Sequence, residues 1–165
     1  MSELSSEDSI DTTVCVAGCG PAGAMLGLLL ARAGIEVVVL EKHADFLRDF
    51  RGDTVHPATL EVLAELGLSA QLHALPHRKV STLGMVRDGV RRELADFRRL
   101  GVRFPYIAFV PQWDFLELLT GAAALHPHFR LVMNAEARSV VTENGRVTGV
   151  RVRGRGGGER VVRAA

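Results

Sequence analysis

The chain has 165 residues, and its 20 Lys and Arg against 19 Asp and Glu leave a formal net charge of +1. Apolar residues make up 47% and charged residues 24%, ordinary globular usage that excludes wholesale disorder. The near-neutral balance argues against a dedicated nucleic-acid binder, two cysteines cannot build a disulfide framework, and the length suits one domain with a small excursion.

The first eleven residues are acidic (Glu3, Glu7, Asp8, Asp11) and read as a flexible tail, residues 1–11. They lack the positive n-region of a signal peptide. Val14 to Ala31 carries no charge, but Gly18, Gly20, Pro21, Gly23 and Gly27 argue against a membrane span, so a cytoplasmic protein is expected. Thr13–Ala17 is a continuous apolar run, as in a strand of a parallel sheet buried on both faces. A glycine-rich turn at 18–23 leads into a helix to about Ala33, stopped by Gly34. That helix is apolar nearly all round, which predicts that it is covered on most sides. Ile35–Leu40 is a second buried strand, and the whole is one βαβ unit.

A polar stretch, residues 43–55, follows. Pro57 opens a helix that ends at Gly67. Residues 79–96 read as two strands joined at Asp88-Gly89, and Tyr106–Val110 as another, ended by Pro111. A helix from about Trp113 to Leu125 is amphipathic, and Phe129–Met133 is a third short apolar strand. The C-terminal part alternates, with Asn144-Gly145 and residues 154–159 as turns, which predicts an antiparallel meander. Residues 138–165 hold seven Arg and two Glu, read as a solvated face.

Gly18-x-Gly20-x-x-Gly23 stands between a buried strand and a helix, with Glu41 ending the next strand, which is the dinucleotide-binding arrangement. Gly18 permits the tight turn, Gly20 lets a pyrophosphate approach the backbone, and Gly23 lets helix and strand pack closely. Amides at the helix start, around Pro21 and Ala22, then hold the anion. Glu41 would accept hydrogen bonds from the adenosine ribose, and its charge disfavours a 2′-phosphate. A P-loop is excluded, because Gly23 is followed by Ala24-Met25 rather than Lys and Ser or Thr. A glycine turn without a ligand remains the alternative. The third parallel strand leads into a meander, a layout that resembles FAD-binding domains of the glutathione-reductase type. The expected fold class is therefore α/β, a Rossmann-like parallel sheet with an antiparallel meander and a β-hairpin excursion.

GCGPAG at 18–23, LLARAGIEVVVLEK at 29–42, RGDTVHPATLEVLAELGL at 51–68 and VPQWDFLELL at 110–119 together resemble the N-terminal part of class A flavoprotein monooxygenases, the p-hydroxybenzoate hydroxylase-like family. The resemblance covers nearly all of the chain after the tail. It implies FAD, NAD(P)H as reductant, O2 as oxidant and a phenolic or polycyclic aromatic substrate. By position, Lys42 follows the ribose carboxylate, Arg51 contacts FAD beyond the second strand, and Gln112 contacts the ribityl region. Ala135 or Ala137 falls where backbone atoms meet the adenine, and residues 79–110 form a substrate-side β excursion. The family's DG and GD fingerprints are not in this sequence, so residues 12–165 read as an incomplete FAD-binding domain, inactive alone and with a sheet edge that favours self-association. The resemblance supplies no catalytic base. Reductases and halogenases share this architecture, and a nucleotide-binding module without activity is the third reading.

Other residues point less far. An extended strand puts Cys15 and Cys19 beyond disulfide reach. Cys19, at a helix start, reads as a tolerated small side chain with a redox role as the alternative. His126 and His128 lack a third ligand at metal spacing, so no metal is expected. His43 and His56 read as loop histidines, with a place in the cofactor cleft as the alternative. Asp45 and Asp49 have no catalytic partner, and Trp113 reads as packing.

Overall fold

A computed structural model describes residues 10–47 and 54–164. In chain order these form β1 (Ile10–Thr12), β2 (Val14–Ala17), α1 (Pro21–Arg32), β3 (Val37–Leu40), β4 (Thr54–Val55), α2 (Pro57–Glu65) and α3 (Ser69–Ala74). There follow β5 (Arg78–Val80), β6 (Thr82–Arg87), β7 (Val90–Asp96), a 3-10 turn (Phe97–Arg99), β8 (Ile107–Phe109) and α4 (Gln112–Ala123). The chain closes with β9 (Phe129–Val132), β10 (Ala135–Glu143), β11 (Arg146–Gly154) and β12 (Glu159–Ala164). Two compact units result, one from the residues up to Leu47 together with those from Leu116 onward, the other from the residues between.

The first unit has two layers of strands. β2, β3 and β9 form a parallel sheet in that order, with Val14 opposite Val37 and Val37 opposite Phe129. Central β3 is buried throughout, as its Val-Val-Val-Leu sequence requires. Side chains alternate between its faces. Val39 and Phe129 face α1, which crosses so closely that a Cβ on Gly27 would stand 2.7 Å from Val39 and 2.9 Å from the Phe129 ring. Val38, Leu40 and Val132 face the other way and form one core with Ile10, Ala135, Val152 and Val162 of the second sheet. Each such aliphatic side chain contributes about 1.5–3 kcal/mol on burial. The second sheet runs β1-β12-β11-β10, with β10, β11 and β12 an antiparallel meander. Asn144 (φ 50°) and Gly145 (φ 78°) turn between β10 and β11, both at positive φ as a two-residue primed turn requires.

In the second unit, β8 pairs antiparallel with β4 on one side and β5 on the other. β6 and β7 form a separate hairpin through Asp88 (φ 53°) and Gly89 (φ 75°). Helix α3 is tied to the chain before β8: the His73 Nδ1–H donates to the Ser69 carbonyl at 2.7 Å, and Nε2 meets the Tyr106 hydroxyl at 2.7 Å.

Four expectations need correction. Ile10 and Asp11, assigned to the tail, are strand: Ile10 is buried in the core, and β1 pairs in parallel with β12. Helix α1 is not covered on most sides, since Leu26 and Leu29 are 45% and 41% exposed. Arg78–Val80 is a strand of its own, paired to β8 rather than to the hairpin. The short α3 was not foreseen. Among the described residues no helix is long and apolar enough to cross a membrane.

Candidate cofactor site

Nine of the eleven expected site residues lie on the segments that meet at the carboxyl end of the parallel sheet. β2 ends at Ala17, and the Gly18 N–H donates to the Leu40 carbonyl at 2.8 Å, which pins the start of the turn to the end of β3. Gly18 sits at φ +100°, a conformation that glycine takes without strain. Gly20 is the N-cap of α1, Pro21 occupies its first position, and the first intrahelical bond runs from Ala24 N–H to the Gly20 carbonyl at 2.9 Å. No side chain caps this helix and no carboxylate lies in its first turn. The amides of Ala22 and Gly23 therefore point out of the helix start with the positive end of its dipole. A Cβ on Gly20 would meet nothing within 4 Å, whereas a Cβ on Gly23 would collide with the Gly18 carbonyl. The first glycine keeps a space open and the second keeps the turn closed. Open space over uncapped amides fits a pyrophosphate.

Glu41 is 2% exposed. Its Oε2 accepts from the Cys19 N–H at 3.1 Å and its Oε1 from the His43 N–H at 3.0 Å. The carboxylate thus ties the glycine turn to the end of β3. Its backbone ties β3 to the next site segment: the Glu41 N–H donates to the Val132 carbonyl and the Ala135 N–H to the Glu41 carbonyl, both at 2.8 Å. Ala135 is thereby held beside Glu41, and Ala137, two residues on, packs against the core. Lys42 is exposed. A carboxylate can accept from ligand hydroxyls as well as from backbone amides.

Gln112 opens α4 in the second unit and is half-buried. Arg51 lies outside the described residues. Sequence reasoning missed the part played by Cys19, whose buried backbone amide grips Glu41, and by the His43 amide. Neither contact leaves a residue-type signal, because main-chain N–H groups make both. Cys15 and Cys19 are both free thiols, and burial pushes the Cys15 thiol up to about 11. Among the described residues no group of three metal-ligating side chains converges.

The family model for the FAD binding domain matches residues 11–165. The chain belongs to the FAD binding domain family. It is 31% identical over 157 residues to 6-methylpretetramide 4-monooxygenase of Streptomyces rimosus, a match that covers 95% of this chain and 37% of that protein. Among solved structures it resembles OxyS anhydrotetracycline hydroxylase from Streptomyces rimosus, with a TM-score of 0.78 and 31% identity over 94% of this chain and 30% of that one. It also resembles the myxobacterial chondrochloren halogenase CndH, with a TM-score of 0.77 and 25% identity over 94% of this chain and 36% of that one. The chain therefore spans 30–37% of the length of these relatives. FAD is the family's cofactor, and the turn, the uncapped amides and the Glu41 carboxylate are groups that fit its ADP half.

Proposed function

We propose that this chain is the FAD-binding part of an aromatic monooxygenase that takes its electrons from NAD(P)H and its oxygen from O2. The observation that carries the reading is the open space above Gly20, over uncapped amides and beside a turn clamped to Glu41. In this reading the Ala22 and Gly23 amides bind the pyrophosphate. The Glu41 carboxylate takes the ribose hydroxyls, with Lys42 at the rim. Backbone atoms at Ala135 and Ala137 border the adenine, and Arg51 and Gln112 serve the rest of the cofactor. Bound FAD would supply the redox chemistry, while the protein orients it and shields it from water. The layering, with α1 on one face of the parallel sheet and the meander on the other, supports a domain of the glutathione-reductase type. The relatives' names point to a phenolic or polycyclic aromatic substrate, and NAD(P)H dependence suits a cytoplasmic setting.

The test uses a protein carrying this chain together with the remainder that its relatives possess. NAD(P)H consumption should rise when an aromatic substrate is added, and the product should gain the mass of one oxygen atom. The likeness to CndH supports a second reading, halogenation, in which the product gains a halogen instead. A protein that holds no flavin would overturn both.

A further inference from the structure

The first unit contains a cavity of about 550 Å3 along the outer edge of β9, the last strand of the parallel sheet. One wall is α4, which presents Glu117, Thr120 and Gly121, spaced as one helix face, with Ala124 just past its end. Phe129, Arg130 and Leu131 of β9, Met133 and residues 44–46 make up the rest of the lining. None of the lining residues belongs to the glycine turn or is Glu41, Ala135 or Ala137. The volume falls in the range of about 300–1,000 Å3 that takes drug-sized ligands.

Two helix-interior glycines set this wall apart. In α1, Gly27 has a packing reason, because any Cβ would run into Val39 and Phe129. In α4, Gly121 has none, because a Cβ there would meet nothing within 4 Å. An interior glycine costs about 1 kcal/mol of helix stability against alanine. Gly121 is exposed and lines the cavity, so a larger side chain there would take up room at its wall.

The charges around the cavity are Asp45, Glu117 and Arg130. Asp45 and Arg130 are engaged with other groups of the protein. The Thr120 hydroxyl is spent on the Leu116 carbonyl at 2.8 Å. Among the described residues, the Glu117 carboxylate makes no hydrogen bond or ion pair. The uncommitted charge at this mainly apolar wall is therefore negative.

We propose that this cavity is a second small-molecule site, separate from that for FAD, and that it takes a mainly apolar organic ligand bearing one positive charge. The cation meets Glu117, and the apolar body lies over Gly121 against Phe129 and Leu131. The probes are tetraphenylphosphonium and tetraphenylborate, nearly equal in shape and opposite in charge, titrated by calorimetry into the whole chain. The phosphonium should bind one to one, about fivefold tighter than the borate, the size of a partly exposed charge contact. Glu117→Gln should remove that preference. Gly121→Leu should abolish phosphonium binding, while Gly121→Ala, which melts no lower than wild type, should weaken it. Excess ADP should leave phosphonium binding unchanged. Equal affinity for the two ions, no binding of either, unchanged binding by Gly121→Leu, or displacement by ADP would overturn the proposal. Should Gly121→Leu fail to fold, the exposed Glu117→Gln variant decides alone.

Discussion

Gly20 and Gly23 stand three residues apart in one motif and do opposite things. A side chain at Gly20 enters open space, and its extended backbone (φ −75°, ψ −178°) suits a β-branched residue. Gly20→Val should therefore melt like wild type and lose FAD binding. Gly23→Ala drives a methyl into the Gly18 carbonyl, and such overpacking costs about 1–3 kcal/mol. It should lower the melting temperature before any cofactor is added. Thermal melts paired with FAD titration separate the two, and equal loss of stability in both variants would contradict the assignment. The sequence motif shows that glycines are needed here, but not which one faces open space and which faces the protein. Glu41 has a similar double life. From the sequence it reads as a ribose acceptor. In the structure it also satisfies two backbone amides, and an unpaired buried amide costs about 1–3 kcal/mol. Glu41→Ala should thus destabilise the apo chain in urea as well as weaken FAD binding, and an unchanged urea midpoint would remove the clamp from the account. Cys15 supplies a pH test. Its folded pKa, about 11, lies above the reference value of 9.0, so the unfolded chain loses its thiol proton first as pH rises. Stability should fall as pH climbs from about 9 through about 11, and Cys15→Ala should flatten that part of the profile.

Elements with strong periodicity or a glycine stop were legible: α1 ends beside Gly34, α2 beside Gly67, and the meander turns at Asn144-Gly145. Each depends on a local rule, a left-handed glycine or a primed turn, that needs no knowledge of the rest of the fold. β1 was illegible for the opposite reason. Three residues are too few to show alternation, and their pairing partner lies at the far end of the chain. The separate pairing of β5 was likewise decided by β8 and not by its own residues. At the site, Gly18, Gly20, Gly23 and Glu41 could be found by spacing, but Ala135 and Ala137 have featureless side chains and only the resemblance marked them. The α1–sheet contact yields a prediction at this scale. Gly27→Ala gains helix propensity but presses on Val39 and Phe129 in the core. The net effect should be a loss of about 1–2 kcal/mol, read as a lower urea midpoint with unchanged helix content. A more stable Gly27→Ala would mean that the helix can lift off the sheet without penalty.

For the molecule as a whole, the cofactor groups described belong to a chain that spans 37% of its monooxygenase relative. Affinity for a ligand the size of FAD comes from burying its apolar surface as well as from polar contacts. The 165-residue chain should therefore bind FAD weakly, and NAD(P)H should not be consumed when an aromatic is added. β2 lies at one end of the sheet order, and Leu26 and Leu29 of α1 are exposed. An open sheet edge and exposed apolar side chains are features through which copies of a chain can associate, so self-association is the expected outcome. Leu26→Glu with Leu29→Glu should shift a concentration-dependent elution toward the monomer, and a wild-type chain that stays monomeric and yellow at high concentration would contradict both expectations.

The pairing of β1 with β12 also bears on how the chain is made. Ile10–Thr12 finds its hydrogen-bonding partner in Val162–Ala164. A ribosome adding about 5–20 residues per second needs on the order of 8–30 s to bring the second strand out after the first. Throughout that interval Ile10 has no sheet to enter, while the βαβ unit behind it can already form from neighbouring sequence. Within the first unit the meander thus closes after the parallel sheet. Until it does, the apolar face of β3 that it covers, Val38 and Leu40, lacks its partners Val152 and Val162.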